Sequence, residues 1–143
     1  MSRVRRALVA YSMSSTFVQT TLDYLNAFKQ FSGFDVDYIH VTNDASIDFD
    51  FNHYDIVFHN YCARLCFDGY VSDSYCKRMR EFDGVKILSV QDEYDNTNIL
   101  KESIKYLGFN IILTCVPQDC LEYVYPRAEF PDVEFVTVFT GYV

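Results

Sequence analysis

The chain has no long apolar run: no window approaches the roughly 18 consecutive apolar residues that a membrane-spanning helix needs. A secretory leader is not expected either. The basic residues Arg3, Arg5 and Arg6 would have to be followed by about seven or more apolar residues, and Ser12, Ser14 and Ser15 interrupt that stretch too early. Cations are scarce, with 12 Lys and Arg against 20 Asp and Glu for a formal charge of -8. A nucleic-acid partner, which requires clustered cations to displace counterions, is therefore not expected. The one basic cluster, Arg3, Arg5 and Arg6, has Val4, Leu8 and Val9 around it and reads as the solvent end of a first or edge strand. These features predict a cytoplasmic protein with no transmembrane segment and leave peripheral membrane association open.

Tryptophan is absent, yet 13 Phe and 12 Tyr among 143 residues, half of them hydrophobic, supply ample core material. That length supports one hydrophobic core and is short for two, so a single domain is expected. The five cysteines are odd in number and scattered through apolar segments, which fits a reducing compartment better than a disulfide framework. Cys62 and Cys66, spaced C-x3-C with Cys76 nearby, raise the question of zinc. A compactly spaced second half of a four-ligand set is missing, since His53 and His59 lie upstream, so buried free thiols and no metal are expected.

Turn chemistry and hydrophobic period divide the chain. Arg5 to Tyr11 reads as a strand, followed by capping residues from Ser12 to Thr16 and a helix with Phe17, Val18, Leu22, Leu25 and Phe28 at three-to-four spacing, closed by Gly33. Phe34 to Val41 alternates with period two, as a strand near a sheet edge does. Thr42 to His53 is polar and acidic, a loop or short extended stretch. Tyr54 to Asn60 reads as a buried strand and Tyr61 to Tyr70 as a loop or short helix. A helix capped by Ser72 or Asp73 runs through Phe82, and Asp83-Gly84 ends it. Val85 to Val90 is the next strand, Thr97 to Leu107 a helix closed by Gly108, and Phe109 to Cys115 a strand. Pro117 opens a helix that Pro126 stops, and Val133 to Phe139 is the last strand. Alternating apolar strands and helices predict a Rossmann-like, three-layer α/β/α fold with a mostly parallel sheet of about six strands, covered on both faces.

Right-handed crossovers would place every strand's carboxyl end on one rim, where doubly wound folds bind ligands. That rim would collect Ser12 to Thr16, His59 and Asn60, Gln91 to Glu93, and Thr114 with Cys115. Each has a plainer reading. Asp92 and Glu93 suit the positive end of the following helix, His59 suits a hydrogen-bonded place in the core, Asn60 can satisfy its own turn, and the serines are helix caps before they are phosphate ligands. Arg64 and Arg78 read as solvated cations. The coincidence of these groups on one edge is what points to a site.

The segments "VKILSVQDEYD", "LGFNIILTCVPQD", "VYPR" and the closing "FTGYV" resemble the N-terminal domain of bacterial two-domain glycosyltransferases of the GT-B type, particularly those of surface-polysaccharide gene clusters. The resemblance covers about residues 54 to 143. It implies that the chain is the acceptor-side half of such an enzyme. The nucleotide-sugar donor would bind mainly a C-terminal domain, the acceptor would be a saccharide or cell-surface glycan, and the half alone would transfer no sugar. It implies no cofactor in this half. Transfer to a hydroxyl by inversion needs a base within hydrogen-bond reach, for which His59, Asp92 and Glu93 are the catalytic candidates. Ser14, Ser15, Asn60, Gln91 and Tyr94 are the acceptor-binding candidates, Tyr94 offering a flat face and a hydroxyl to a sugar ring.

Two readings of other classes compete. "YSMSSTFVQTTLDYL" resembles the Ser/Thr-rich phosphate loop of flavodoxins, which would make the chain an FMN-binding module, but the glycine that lets backbone close on a phosphate is missing. A non-catalytic interaction domain is the other. A signal-receiver domain fits less, because the first strand ends in Tyr11-Ser12-Met13-Ser14 where an acidic pair would be needed.

Overall fold

Strand β1 (Arg6–Tyr11) forms because Ala7, Leu8, Val9 and Ala10 are apolar on both faces, and all four are fully enclosed in the computed structural model, which describes residues 2–139. Around it lie β2 (Asp35–His40), β3 (Ile56–His59), β4 (Val85–Ser89), β5 (Ile111–Thr114) and β6 (Glu134–Thr137), paired in the order β2-β1-β3-β4-β5-β6. Every pairing is parallel. Helices α1 (Gln19–Phe31), α2 (Asp73–Glu81), α3 (Thr97–Leu107) and α4 (Leu121–Val124) connect them. The fold is the Rossmann-like α/β architecture that the alternation of periods predicts, with β2 at the edge.

The layers are unequal. Only α1 covers one face of the sheet, setting Leu25, Tyr24 and Phe28 against Val9, Val36 and Phe58, with the Phe28 and Phe58 rings stacked at 4.7 Å. The other face carries α2, α3 and α4, whose Tyr75, Met79, Leu100, Ile104 and Leu107 close over Leu8, Val57, Leu88 and Ile112. Coverage of both faces is thus complete on one side and partial on the other. An apolar groove of ≈ 360 Å³ beside α1, floored by Ile87 and Leu113, stays open over β4 and β5.

Local chemistry explains most boundaries. Ser72 caps α2 by accepting the Tyr75 N–H, and Gly108 ends α3 in the left-handed conformation at φ 74°. The start of α1 differs from expectation. Met13–Ser15 form a separate 3-10 turn, and α1 begins at Gln19 without a side-chain cap. The helix expected from Pro117 to Pro126 is also shorter, a 3-10 turn at Gln118–Cys120 leading into the single turn of α4. The chain leaves helical geometry at Tyr125 because that ring must enter the core, where it stacks on Phe135 at 4.4 Å. Among the described residues no helix is long and apolar enough to cross a membrane. The closing Thr140, Gly141, Tyr142 and Val143 of the "FTGYV" segment lie outside the described residues.

Candidate functional site

An all-parallel sheet puts all six carboxyl ends on one rim. The first crossover leads outward from β1 to β2, and the chain then crosses to β3 and continues the other way, so a crevice opens between the ends of β1 and β3. Arg3 and Arg6 sit at the opposite rim, paired with Asp55 and Asp37.

Four hydroxyls meet at the β1/β3 crevice. Ser12 Oγ lies 2.7 Å from Thr42 Oγ1, 2.8 Å from Ser14 Oγ and 3.1 Å from the Tyr70 hydroxyl. Burial pushes the Tyr70 phenol up, but hydrogen bonds from Ser12, Ser14 and their neighbours outweigh it and leave the phenol below its ordinary pKa. These hydroxyls satisfy one another, which makes them a clasp between the β1 loop, the β2 loop and residue 70. Asn60 is fully buried beside them. Its Oδ1 accepts the Cys62 N–H at 2.9 Å, and its Nδ2 has no partner among the described residues. Ser15 is half-buried in the 3-10 turn, donating its N–H to Ser12 and accepting from Val18.

Four N–H groups of the same loop are already engaged. The N–H groups of Met13, Ser15, Thr16 and Val18 are already donated, to His40 Nδ1 and to the carbonyls of Ser12, Met13 and Ser15. A phosphate cradle needs such donors free. Ser14 and Phe17 of this loop have no such backbone acceptor for their N–H groups among the described residues.

His59 faces the interior. Its ring is fully buried, with Nε2 2.6 Å from the Ala63 carbonyl and Nδ1 2.8 Å from the Tyr75 hydroxyl. Because a carbonyl only accepts, Nε2 carries the hydrogen and Nδ1 accepts from Tyr75. Desolvation lowers its pKa to about 4, so the ring is neutral at pH 7 and presents no free nitrogen to the rim.

The β4 rim is where carboxylates collect. Gln91 is half-buried and faces a separate small void beside Arg64. Asp92 takes the left-handed conformation at φ 59°, which turns its carboxylate outward into solvent, and the Tyr94 hydroxyl donates to its Oδ1 at 3.3 Å. Glu93 turns the other way. It is buried, and its Oε1 accepts from Thr114 Oγ1 and from the Cys115 N–H at the end of β5. Neither side chain caps α3, whose N-cap is Asn96 at φ 47° with no side-chain bond. Arg64 is not simply solvated: it pairs with Asp95 and lies over the Phe67 ring at 4.6 Å, tying the β3 loop to the β4 loop. Arg78 pairs with Glu81.

Between the β4 and β5 loops lies a depression of ≈ 650 Å³, lined among others by Asp92, Glu93, Tyr94, Asn98, Cys115 and Tyr123. Asp92, Glu93 and Tyr94 therefore come together, while Ser14, Ser15 and Asn60 belong to the β1/β3 crevice. Among the described residues no hydrogen bond joins the two groups. Tyr123 and Asn98 escape sequence reasoning because both lie in helical segments whose inward residues carry the periodic signal. Nothing in a single sequence marks an outward tyrosine as part of a pocket.

Burial raises the Cys62 thiol, and its sulfur accepts the Ser12 N–H at 3.3 Å. Among the described residues no three His, Cys, Asp or Glu side chains are grouped to hold a metal ion. The chain matches no family model, and a search of curated proteins returns no significant match.

Proposed function

We propose that this chain is the acceptor-side domain of a two-domain glycosyltransferase, which holds a saccharide hydroxyl while a C-terminal domain presents the nucleotide-sugar donor. One observation carries the reading: a solvent-facing carboxylate, Asp92, shares one open depression with two exposed aromatic residues, Tyr94 and Tyr123, on the carboxyl rim of a parallel sheet. Tyrosine faces take the C–H surface of a sugar ring, and a carboxylate accepts from its hydroxyls. Rim aromatics that remain open in the isolated domain suit one wall of a two-walled cleft. Phe17, 86% exposed in the connection after β1, and Phe139, 91% exposed after β6, are further open rings beyond strand ends of the same rim.

In this reading the roles of the three carboxylate and imidazole candidates separate. Asp92 is placed to accept the acceptor's proton in an inverting transfer or to fix its hydroxyls. Glu93 holds the β4 loop to β5 and keeps Asp92 in position. His59, buried at the end of the neighbouring strand β3, holds the Ala63 carbonyl and the Tyr75 hydroxyl and takes no part in proton transfer. No base from this half is required if the transfer retains configuration.

The test is sugar transfer from a nucleotide-sugar donor, followed as nucleotide release, by this chain joined to a donor domain. Asp92→Asn is expected to lower kcat/KM by about 10²-fold or more if the carboxylate is the base, with unchanged thermal stability. Full turnover and full acceptor affinity in Asp92→Asn would remove the carboxylate from the site. Transfer by residues 1–143 alone would overturn the half-enzyme reading.

A further inference from the structure

The charge balance of the depression between the β4 and β5 loops goes further than the presence of a sugar site. Two carboxylates, Asp92 and Glu93, line it against one cation, Lys101; Arg64 stands within electrostatic reach of Asp92 and Tyr94 but is paired with Asp95. That cation is already taken: Lys101 Nζ donates to Glu129 Oε1 at 2.9 Å, and its side chain is only 16% exposed. Glu93 is turned into the protein and occupied by Thr114 and Cys115. Among the described residues Asp92 has one side-chain hydrogen-bond partner, the Tyr94 hydroxyl at Oδ1, and the residue is exposed, which leaves Oδ2 open to a ligand. The Asp92 charge also pushes the Tyr94 phenol up.

The walls are as uneven as the charge. Tyr94 is 80% exposed and Tyr123 is 89% exposed, and they come from different connections, β4 to α3 and β5 to α4. Asn98, on the first turn of α3, adds an exposed amide with both donors and an acceptor. Two exposed aromatic residues, an amide and a carboxylate engaged by the Tyr94 hydroxyl alone suit a ring with apolar faces and a hydroxyl edge. They offer no free cation to an acidic substituent.

We propose that Tyr94 and Tyr123 clasp a pyranose ring above Asp92, and that this site accepts a neutral or amino-bearing sugar while rejecting a uronic acid. The proposal rests on the acceptor-side reading above and adds the ligand's charge class and Tyr123 as a binding residue. Like-charge repulsion against Asp92 and Glu93 disfavours a ring carboxylate, whereas a sugar ammonium gains from the same field. Added salt should narrow the difference, because the site is open to solvent.

Titration of the isotopically labelled chain with methyl glucoside, methyl glucosaminide and methyl glucuronide at pH 7, followed by amide NMR shifts at residues 92 to 98 and 115 to 124, tests it. The first two sugars are expected to bind, and the glucuronide at least about tenfold more weakly, a difference of about 1.4 kcal/mol. Asp92→Asn should narrow that gap. Tyr123→Ala, at a position too exposed to threaten folding, should weaken the neutral sugar several-fold. Glucuronide binding equal to glucoside binding, at a site still lost in Tyr123→Ala, would overturn the charge selection and leave the saccharide reading standing. Unchanged glucoside binding in Tyr123→Ala would overturn the clasp. If none of the three sugars moves these resonances, the acceptor-side reading falls and takes the proposal with it.

Discussion

Glu93 and Thr114 meet across the rim of the sheet, the carboxylate of the β4 loop accepting the hydroxyl at the end of β5. Thr114 Oγ1 also accepts the Val116 N–H at 3.1 Å, and Glu93 takes the Cys115 N–H as well, so one carboxylate and one hydroxyl organise both loops. The Tyr125 hydroxyl is buried nearby, near Thr114 but without a hydrogen-bond partner of good geometry among the described residues, and burial, reinforced by the Glu93 charge, pushes its phenol far up. Removing either member leaves a buried polar group unsatisfied, at about 1–3 kcal/mol. Thr114→Val is expected to lose stability in that range in urea unfolding, and Thr114→Ser to lose clearly less. Asp92→Asn, a change at an exposed carboxylate, should leave the unfolding midpoint unmoved. Equal effects at Glu93 and Asp92 would contradict the division of labour drawn here.

His59 makes stability depend on pH in a defined window. The unfolded ring takes up a proton as pH falls through 6.5, while the folded ring stays neutral down to about 4. The unfolded state therefore binds more protons between those values, and stability falls as pH falls through that window, by up to about 3 kcal/mol from this residue. Unfolding free energies measured at pH 7, 6 and 5 should show the decline. His59→Phe should flatten it while lowering stability at pH 7, since the Tyr75 hydroxyl and Ala63 carbonyl lose their partner. A variant that keeps the same slope would assign it to other groups.

Ser72 accepts the Tyr75 N–H at 3.3 Å and so caps α2. Ser72→Ala is expected to cost about 1 kcal/mol, read as a lower denaturant midpoint at unchanged m-value. Ser72→Asp, which keeps an acceptor and adds charge at the helix's positive end, should recover most of the loss.

Gly84 is constrained by space. A Cβ there would stand 2.2 Å from the Phe82 ring and 2.7 Å from the Asp55 carbonyl oxygen. Phe82 is a core ring and Asp55 O accepts the Val85 N–H at the start of β4, so neither can yield freely. Gly84→Ala should destabilise by about 1–3 kcal/mol, as overpacking does. Gly33 is an instructive comparison, because its surroundings are open and its φ of 74° is what favours glycine. There Ala should cost only the backbone strain, about 1 kcal/mol.

The elements that could be read from the chain are those whose signal is local. The three-to-four spacing of Leu100, Ile104 and Leu107 with Gly108 behind them defines α3 at both ends, and the uniform apolarity of Ala7 to Ala10 marks a strand buried on two faces. The α1 start and the α4 segment were less legible. At Ser12 to Thr16, hydroxyls suited to capping a helix are instead recruited by Thr42 and Tyr70, which lie 30 and 58 residues from Ser12. At Tyr125, the pull of one ring into the core overrides a short stretch of helical pattern.

Periodicity and turn chemistry by themselves determined the alternation of strands and helices, and through the handedness of crossovers the single rim on which the polar residues stand. Tertiary structure decided what each of those residues does there. Asp92 and Glu93 are neighbours with the same functional group, yet a left-handed residue turns one outward while Thr114, 21 positions away from Glu93, draws the other in. His59 sits at the end of a rim strand, and only the positions of Ala63 and Tyr75 make it a neutral core residue. That Tyr94 and Tyr123 line one depression depends on β4 and β5 lying side by side, a neighbourhood that sequence distance does not record.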